Sequence, residues 1–413
     1  MSIANWPKMK LADCVDLLAG FPFKSRHFTD NPIDIALVKG ENISQGRILW
    51  GISKRWPASE WGKMQRFQLH PGDVVVAMDR PWVPAGLKWA TIRECDPKAL
   101  LVQRCARLRS ANGKLDQQFL RFVIGGPTFE NYVKPITTGV NVPHISGQQI
   151  LNYEFALPPL PVQRRIAGIL SAYDDLIENN QRRIKILEEM ARSLYREWFV
   201  HFRFPGHDKV KMVPSSLGPI PQGWEVKRLL DVASVTYGFP FASKQFNTTG
   251  IGTPIIRIRD IPTGATETWG DEVADPKYEI RNGDILVGMD GDFHMCIWSS
   301  GRAYQNQRVA KFISRGEIGN LHLFLALERP IQTFNKSIVG TTVAHLGDMH
   351  IKTIEIVWPP SKLLARTRAL LEPMSEQIIN LKRHTANLRR TRDLLLPRLL
   401  WGQINLNSTD AIG

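Results

Sequence analysis

The sequence predicts an α+β protein. Two similar, mainly-β globular domains are separated by two long antiparallel helices that pair as a coiled coil, and the chain is a pseudo-two-fold internal repeat. Three observations predict this: an apolar heptad series between Ile166 and Trp198, a second series 201 residues later, and short motifs ahead of each that recur in the same order. The expected layout is a first domain over 1–160, a central helix over 161–205 and a linker over 206–223. A second domain over 224–360 and a C-terminal helix over 361–413 complete it.

In the central stretch, Ile166, Leu170, Tyr173, Ile177, Ile184, Leu187, Ala191, Leu194 and Trp198 are spaced alternately four and three apart, and Asn180 alone interrupts them. This is a helical seam, and a single polar seam residue such as Asn180 is expected to fix register. Pro158, Pro159 and Pro161 stand where a helix start tolerates proline, and Pro205-Gly206 stops it. Positions 163 to 199 span roughly 55 Å as a helix, too long for one small domain to cover, so a partner strip is required. Leu371, Met374, Ile378, Leu381, Leu388, Leu395 and Leu399 supply it, at the positions of Leu170, Tyr173, Ile177, Asn180, Leu187, Leu194 and Trp198. Thr367, Thr385 and Arg392 replace Ile166, Ile184 and Ala191, which weakens the second seam. Pro373 and Pro397 are expected to kink or cut it, leaving a long helix near 374–396 with a short lead-in.

The repeat extends into the domains. Gly20-Phe21-Pro22-Phe23 recurs as Gly238-Phe239-Pro240-Phe241 at an offset of 218, and Gly72-Asp73 as Gly283-Asp284 at 211. Met78-Asp79 matches Met289-Asp290 at 211, Gln103-Arg104 matches Gln307-Arg308 at 204, and His144 matches His345 at 201. The offset shrinks stepwise, as expected for one fold copied twice with different surface loops. β-branched runs such as 74–77, 285–287 and 354–358 mark strands, and helices are expected near 116–124 and 321–334. Gly20–Phe23 and Gly72-Asp73 read as turn and core positions. His144 and His345 read either as structural histidines or as DNA contacts.

Net charge is +14, with 43% hydrophobic and 22% charged residues, so the chain is an ordinary globular one with a polyanionic partner expected. The excess is uneven: +7 over 1–160, +2 over 161–205, zero over 206–360 and +5 over 361–413. A DNA-binding second domain must therefore use local patches. Four cysteines without a C-x-x-C pair, and no signal peptide, predict a reduced, cytoplasmic protein without structural zinc. No apolar run approaches the ~18 residues of a membrane span. There is no G-x-x-x-x-G-K-[ST] loop, no G-x-G-x-x-G after a strand and no Asn-Pro-Pro-aromatic tetrapeptide. Asp79-Arg80 and Asp290-Gly291-Asp292 lack the partners of a nuclease centre. No catalytic residue and no metal site is expected.

The stretch LPPLPVQRRIAGILSAYDDLIENNQRRI, the Trp198-Phe199 helix end and the closing LLLPRLLWG resemble the specificity (S) subunit of type I restriction–modification systems, over nearly the whole chain. One departure is that the second copy reads Trp358-Pro359-Pro360-Ser361-Lys362 and lacks a glutamine matching Gln163. The resemblance implies a non-catalytic, DNA-binding subunit of a bacterial defence complex. Each domain, a target recognition domain, would read one half of an asymmetric bipartite target in double-stranded DNA. The helices would set the gap and dock two methyltransferase (modification) subunits, with motor-nuclease (restriction) subunits able to join. Those partners would use S-adenosylmethionine, ATP and Mg, and this subunit would carry no cofactor. The alternatives are the recognition subunit of a related system with a fused methyltransferase-nuclease, or a coiled-coil protein adaptor.

Phosphate contacts position a protein on DNA and base-edge contacts specify sequence, so cationic and amide or hydroxyl side chains on loops that differ between the copies are the candidates. In the first domain these are Lys24, Lys39, Asn42, Arg80, Lys134, Thr138 and Asn141. In the second they are Lys244, Arg257, Arg259, Asp292, His294, Lys336, Thr341 and Thr342.

Overall fold

The computed structural model describes residues 6–137, 143–316, 318–337, 344–404 and 406. The chain divides into two units, one of residues 1–175 with 389–413 and one of residues 176–388, so the dividing line crosses both long helices.

In the first unit, strand β1 (Val15–Ala19), β2 (Ile35–Val38), β3 (Val74–Ala77), β4 (Trp89–Thr91), β5 (Ala99–Leu101) and β6 (Cys105–Ser110) build two sheets. One runs β1-β6-β3-β4 and ends on Gln45–Gly46. The other runs Arg55–Trp56, β2, β5, Gln68–Leu69, with β2 and β5 parallel. The run Val74-Val75-Val76-Ala77 is apolar without alternation because both of its faces are covered. Val74 and Val76 join the helix-side core with Phe119 and Ile166, while Val75 and Ala77 join a second core with Ala36 and Leu101.

The second unit repeats this plan. Its strands are β7 (Ala233–Tyr237), β8 (Thr253–Ile256), β9 (Ile285–Gly288), β10 (Met295–Ile297), β11 (Ala303–Gln305) and β12 (Val309–Ser314). One sheet runs β7-β12-β9-β10, and the other runs Trp269–Gly270, β8, β11, Glu279–Ile280, with β8 and β11 again parallel. Ile285 and Val287 face one core and Leu286 another.

The recurring motifs have physical explanations. A β-carbon on Gly20 would lie 2.2 Å from the Val102 carbonyl oxygen, and one on Gly238 1.9 Å from that of Asn306, so only glycine admits these chain crossings. Gly72 and Gly283 turn with φ of 90° and 94°, and the neighbouring carboxylates of Asp73 and Asp284 each accept a backbone N–H at 2.8 Å.

The central helix (Leu160–Tyr195) closes with a wider π turn over Arg196–Val200. In the first unit, Ile166 and Leu170 join the core that holds Leu399 and Leu400, and Asp174 accepts from Arg392 at 2.7 Å. In the second unit, Ala191 shares a cluster with Leu371, Leu194 and Met374, and Glu188 accepts from Lys382 at 2.9 Å. Within each unit the helices therefore run antiparallel. Ile177, Ile378 and Leu381 are buried, whereas Tyr173, Asn180, Ile184, Leu187, Leu388 and Leu395 are half-buried.

Two expectations are corrected. The C-terminal helix is one element over Ser361–Leu400, neither cut at Pro373 nor confined to 374–396. Pro373 is exposed, and buried residues on both sides anchor the helix across the missing hydrogen bond: Leu364 in the second domain's core, Leu371 beside Ala191, and Ile378 after the proline. Residues 206–223 are not a bare linker. Met212–Val213 pairs with Ile220–Pro221, and Ile220 packs among Trp198, Phe199, Phe204 and Trp224. The first domain also has a helix over Pro127–Ile136 that the sequence did not announce.

Candidate nucleic-acid interface

Where β3 leaves the first sheet, Asp79 is held from two sides. Its Oδ1 meets His144 Nδ1 at 2.7 Å, and its Oδ2 accepts from Arg104 at 2.6 Å. The backbone imposes the meeting: the Met78 N–H donates to the Arg104 carbonyl at 2.8 Å, and the Met78 carbonyl accepts from Ile145 at 2.8 Å. Partial burial opposes ionisation of Asp79, but the hydrogen bonds from His144 and Arg104 outweigh it and hold its carboxyl below the usual carboxylate range.

The second unit builds the same trio. Asp290 Oδ1 meets His345 Nδ1 at 2.6 Å and its Oδ2 lies 3.3 Å from Arg308 Nε. The Met289 N–H donates to the Arg308 carbonyl at 3.0 Å, and the Met289 carbonyl accepts from Leu346 at 2.7 Å. The residue after each aspartate turns with positive φ, Arg80 at 44° and Gly291 at 71°.

Cations gather around the trio. The Lys88 ammonium and the Asp79 carbonyl each stand 3.8 Å from where a β-carbon on Gly40 would sit, so the Lys39-Gly40 turn, Asp79 and Lys88 are neighbours. Burial pulls the Lys88 ammonium below its ordinary range. Its carbonyl accepts from Ala77 at 3.0 Å, as the His294 carbonyl accepts from Gly288 at 2.9 Å, so His294 occupies the place of Lys88. Lys39 lies over the Phe28 ring at 5.5 Å, and Arg257, its counterpart, over Phe246 at 5.8 Å.

The sequence candidates divide accordingly. Lys39, Arg80, Arg257 and His294 fall on the turns beside the trios, and Asp292 lies 3.9 Å from His294. Lys24 and Lys244 are exposed at other turns, and Arg259 is exposed on the same turn as Arg257, beside Asp260 at 3.8 Å. Lys134 pairs with Glu130 at 2.8 Å on its own helix, and Lys336 is exposed near the end of the Asn320–Ser337 helix. Thr138, Asn141, Thr341 and Thr342 lie outside the described residues. Asn42 is corrected: it is 1% exposed, accepts from the Lys39 N–H at 2.8 Å and donates to the Leu37 carbonyl at 2.9 Å, so the turn uses it up. The sequence reading also missed Lys88. Arg104 and Arg308 were visible only as repeat markers.

Among the described residues no group of His, Cys, Asp and Glu could hold a metal ion, and no helix is long and apolar enough to cross a membrane. Two copies of one fold, each carrying the same Asp–Arg–His trio with basic side chains nearby, define a tandem-repeat protein. The family model for the type I restriction modification DNA specificity domain matches residues 4–189 and 221–381, and the chain belongs to that family. It is 27% identical to the type I restriction enzyme MjaIX specificity subunit of Methanocaldococcus jannaschii over 303 residues, 70% of this chain and 69% of that one. It is 31% identical to the EcoBI specificity subunit of Escherichia coli over 198 residues, 47% of this chain and 42% of that one. The fold matches the crystal structure of a type I restriction-modification S subunit from M. genitalium with a TM-score of 0.65 at 15% identity, over 96% of each chain.

Proposed function

We propose that this chain reads an asymmetric, two-part sequence in double-stranded DNA, one part with each domain, and carries no catalytic step itself. The observation that carries this reading is the paired cluster: the same Asp–Arg–His trio in both copies, ringed by residues that differ, Lys39, Arg80 and Lys88 in one and Arg257, Gly291 and His294 in the other. One fold with two sets of groove-reaching side chains suits two unlike half-sites. The chain would dock two modification subunits that use S-adenosylmethionine to methylate adenine. Restriction subunits using ATP and Mg would join the same cytoplasmic complex.

The test is a gel-shift titration of the full chain with its modification partner on duplex DNA at several salt concentrations. Binding whose logarithm falls linearly with that of salt, and methylation at a split site, are expected. Salt-independent binding, or a complex that methylates without this chain, would overturn the reading.

A further inference from the structure

We propose that Asp79–Arg104–His144 and Asp290–Arg308–His345 are matched phosphate grips that hold the DNA backbone of each half-site without regard to sequence. This rests on the DNA-reading function proposed above and divides its labour. A feature built alike in both copies cannot encode a difference between two half-sites. It suits what the half-sites share, which is phosphate. The residues that differ at equivalent places, Lys88 against His294 and Arg80 against Gly291, are left to read bases.

The geometry fits an anion clamp. Each trio places a guanidinium and an imidazole on one carboxylate, and the guanidinium reaches into solvent: the Arg104 side chain is 66% exposed and that of Arg308 53%. The carboxylate is the less exposed member, at 21% for Asp79 and 26% for Asp290, and sits behind the guanidinium. Asp79 and Asp290 are thus positioning residues that orient a guanidinium and an imidazole. A guanidinium with further donors beyond the one spent on aspartate is suited to a phosphate oxygen. The positive φ of Arg104, 64°, belongs to the first copy and is not shared by Arg308, so the matched feature is the side-chain trio and not backbone strain.

The experiment uses the full chain and two duplexes, one carrying the sequence methylated in cells with the parent and one scrambled. Arg104→Gln and Arg308→Gln, both at exposed side chains, are expected to keep the parent melting temperature. Each should flatten the log–log salt dependence by about one and weaken binding about tenfold, equally on both duplexes. Arg104→Lys should keep the slope. Asp79→Asn separates positioning from charge: a carboxylate that merely repels DNA would give tighter binding when neutralised, whereas a positioning carboxylate gives weaker binding. An unchanged slope, a loss confined to the methylated duplex, or tighter binding by Asp79→Asn would overturn the grip. A parent chain that binds neither duplex would instead sink the underlying DNA-reading function.

Discussion

Asp174 in the central helix accepts from Arg392, 218 residues along the chain, at 2.7 Å, and also from Arg121 at 2.8 Å. Arg392 stands where the repeat would put the counterpart of Ala191, so the second seam is not a degraded copy of the first. It has exchanged an apolar contact for a charged one, and the exchange works because Asp174 lies opposite.

The buried threonines of the second seam follow the same logic in reverse. Thr367 and Thr385 are 0% and 5% exposed, and their hydroxyls donate to Leu363 and Leu381 one turn back at 2.9 and 2.7 Å. Those carbonyls are already helix acceptors, so the hydroxyl gains little and costs desolvation. Thr385→Val is expected to stabilise the second unit by about 0.5–1 kcal/mol, read as a higher urea midpoint at unchanged slope. A lower midpoint would mean the hydroxyl is needed.

His322 supplies a pH dependence. It is 3% exposed, edge-on to Phe199 at 4.6 Å and Tyr195 at 5.4 Å, and burial pulls its imidazole down to about 4. The folded value lies below the unfolded value of about 6.5, so the unfolded chain takes up the proton first. Its contribution is fully present above pH ~6.5 and is lost as pH falls towards 4, about 3 kcal/mol in all. His322→Leu should flatten unfolding free energy across that window. An equally steep profile in the variant would assign the dependence elsewhere.

Asp73 and Asp284 occupy equivalent turns with different partners. Asp73 takes two hydrogen bonds from Arg109, whereas Ile313 stands at the matching place in the second copy. Burial raises the Asp284 carboxyl despite the attraction of Lys311 and Arg281. Asp73→Asn is expected to cost about 2 kcal/mol by removing the carboxylate from Arg109, the usual buried-pair penalty reduced because Arg109 is partly exposed and keeps the Gln68 carbonyl. Asp284→Asn should be neutral or stabilising at pH 7, and any gain should vanish as pH falls through the carboxylate range, where the parent is protonated too. Hydrogen exchange at Val74–Ala77 and Ile285–Gly288 reports the two domains separately. Equal losses in both would refute the distinction.

The helix seams, the strand run at Val74–Ala77 and the repeated turns were legible in the sequence because each is a local pattern with one physical meaning. The unbroken C-terminal helix was not, since Pro373 is a strong local signal and the contacts that override it are distant. The trios were half-legible. Asp79, Arg104 and His144 were each visible as repeat markers, but their meeting joins positions 25 and 65 residues apart, which no local pattern encodes. Lys88 was hidden because the loop after Asp79 is longer than the one after Asp290, so the copies fall out of step there. Asn42 misled because its loop position suggested a free amide, and only the fold shows that the turn consumes it.

The division into two independently built domains makes a last prediction. The cores around Val74 and Ile285 share no residue. The second domain also enters and leaves at one place: Glu225–Arg228 pairs antiparallel with Glu355–Trp358, and Val226 stands opposite Val357. Residues 224–357 can therefore be exchanged for the corresponding stretch of another specificity subunit with both cuts at a single strand pair. The graft must keep an aromatic residue at position 224, because Trp224 closes the cluster with Phe199, Phe202 and Phe204. Methylation mapping in cells that supply the modification subunit is expected to show one half-site replaced and the other preserved. If the exchanged chain folds and both half-sites change, the domains do not read independently and the two-part model is wrong.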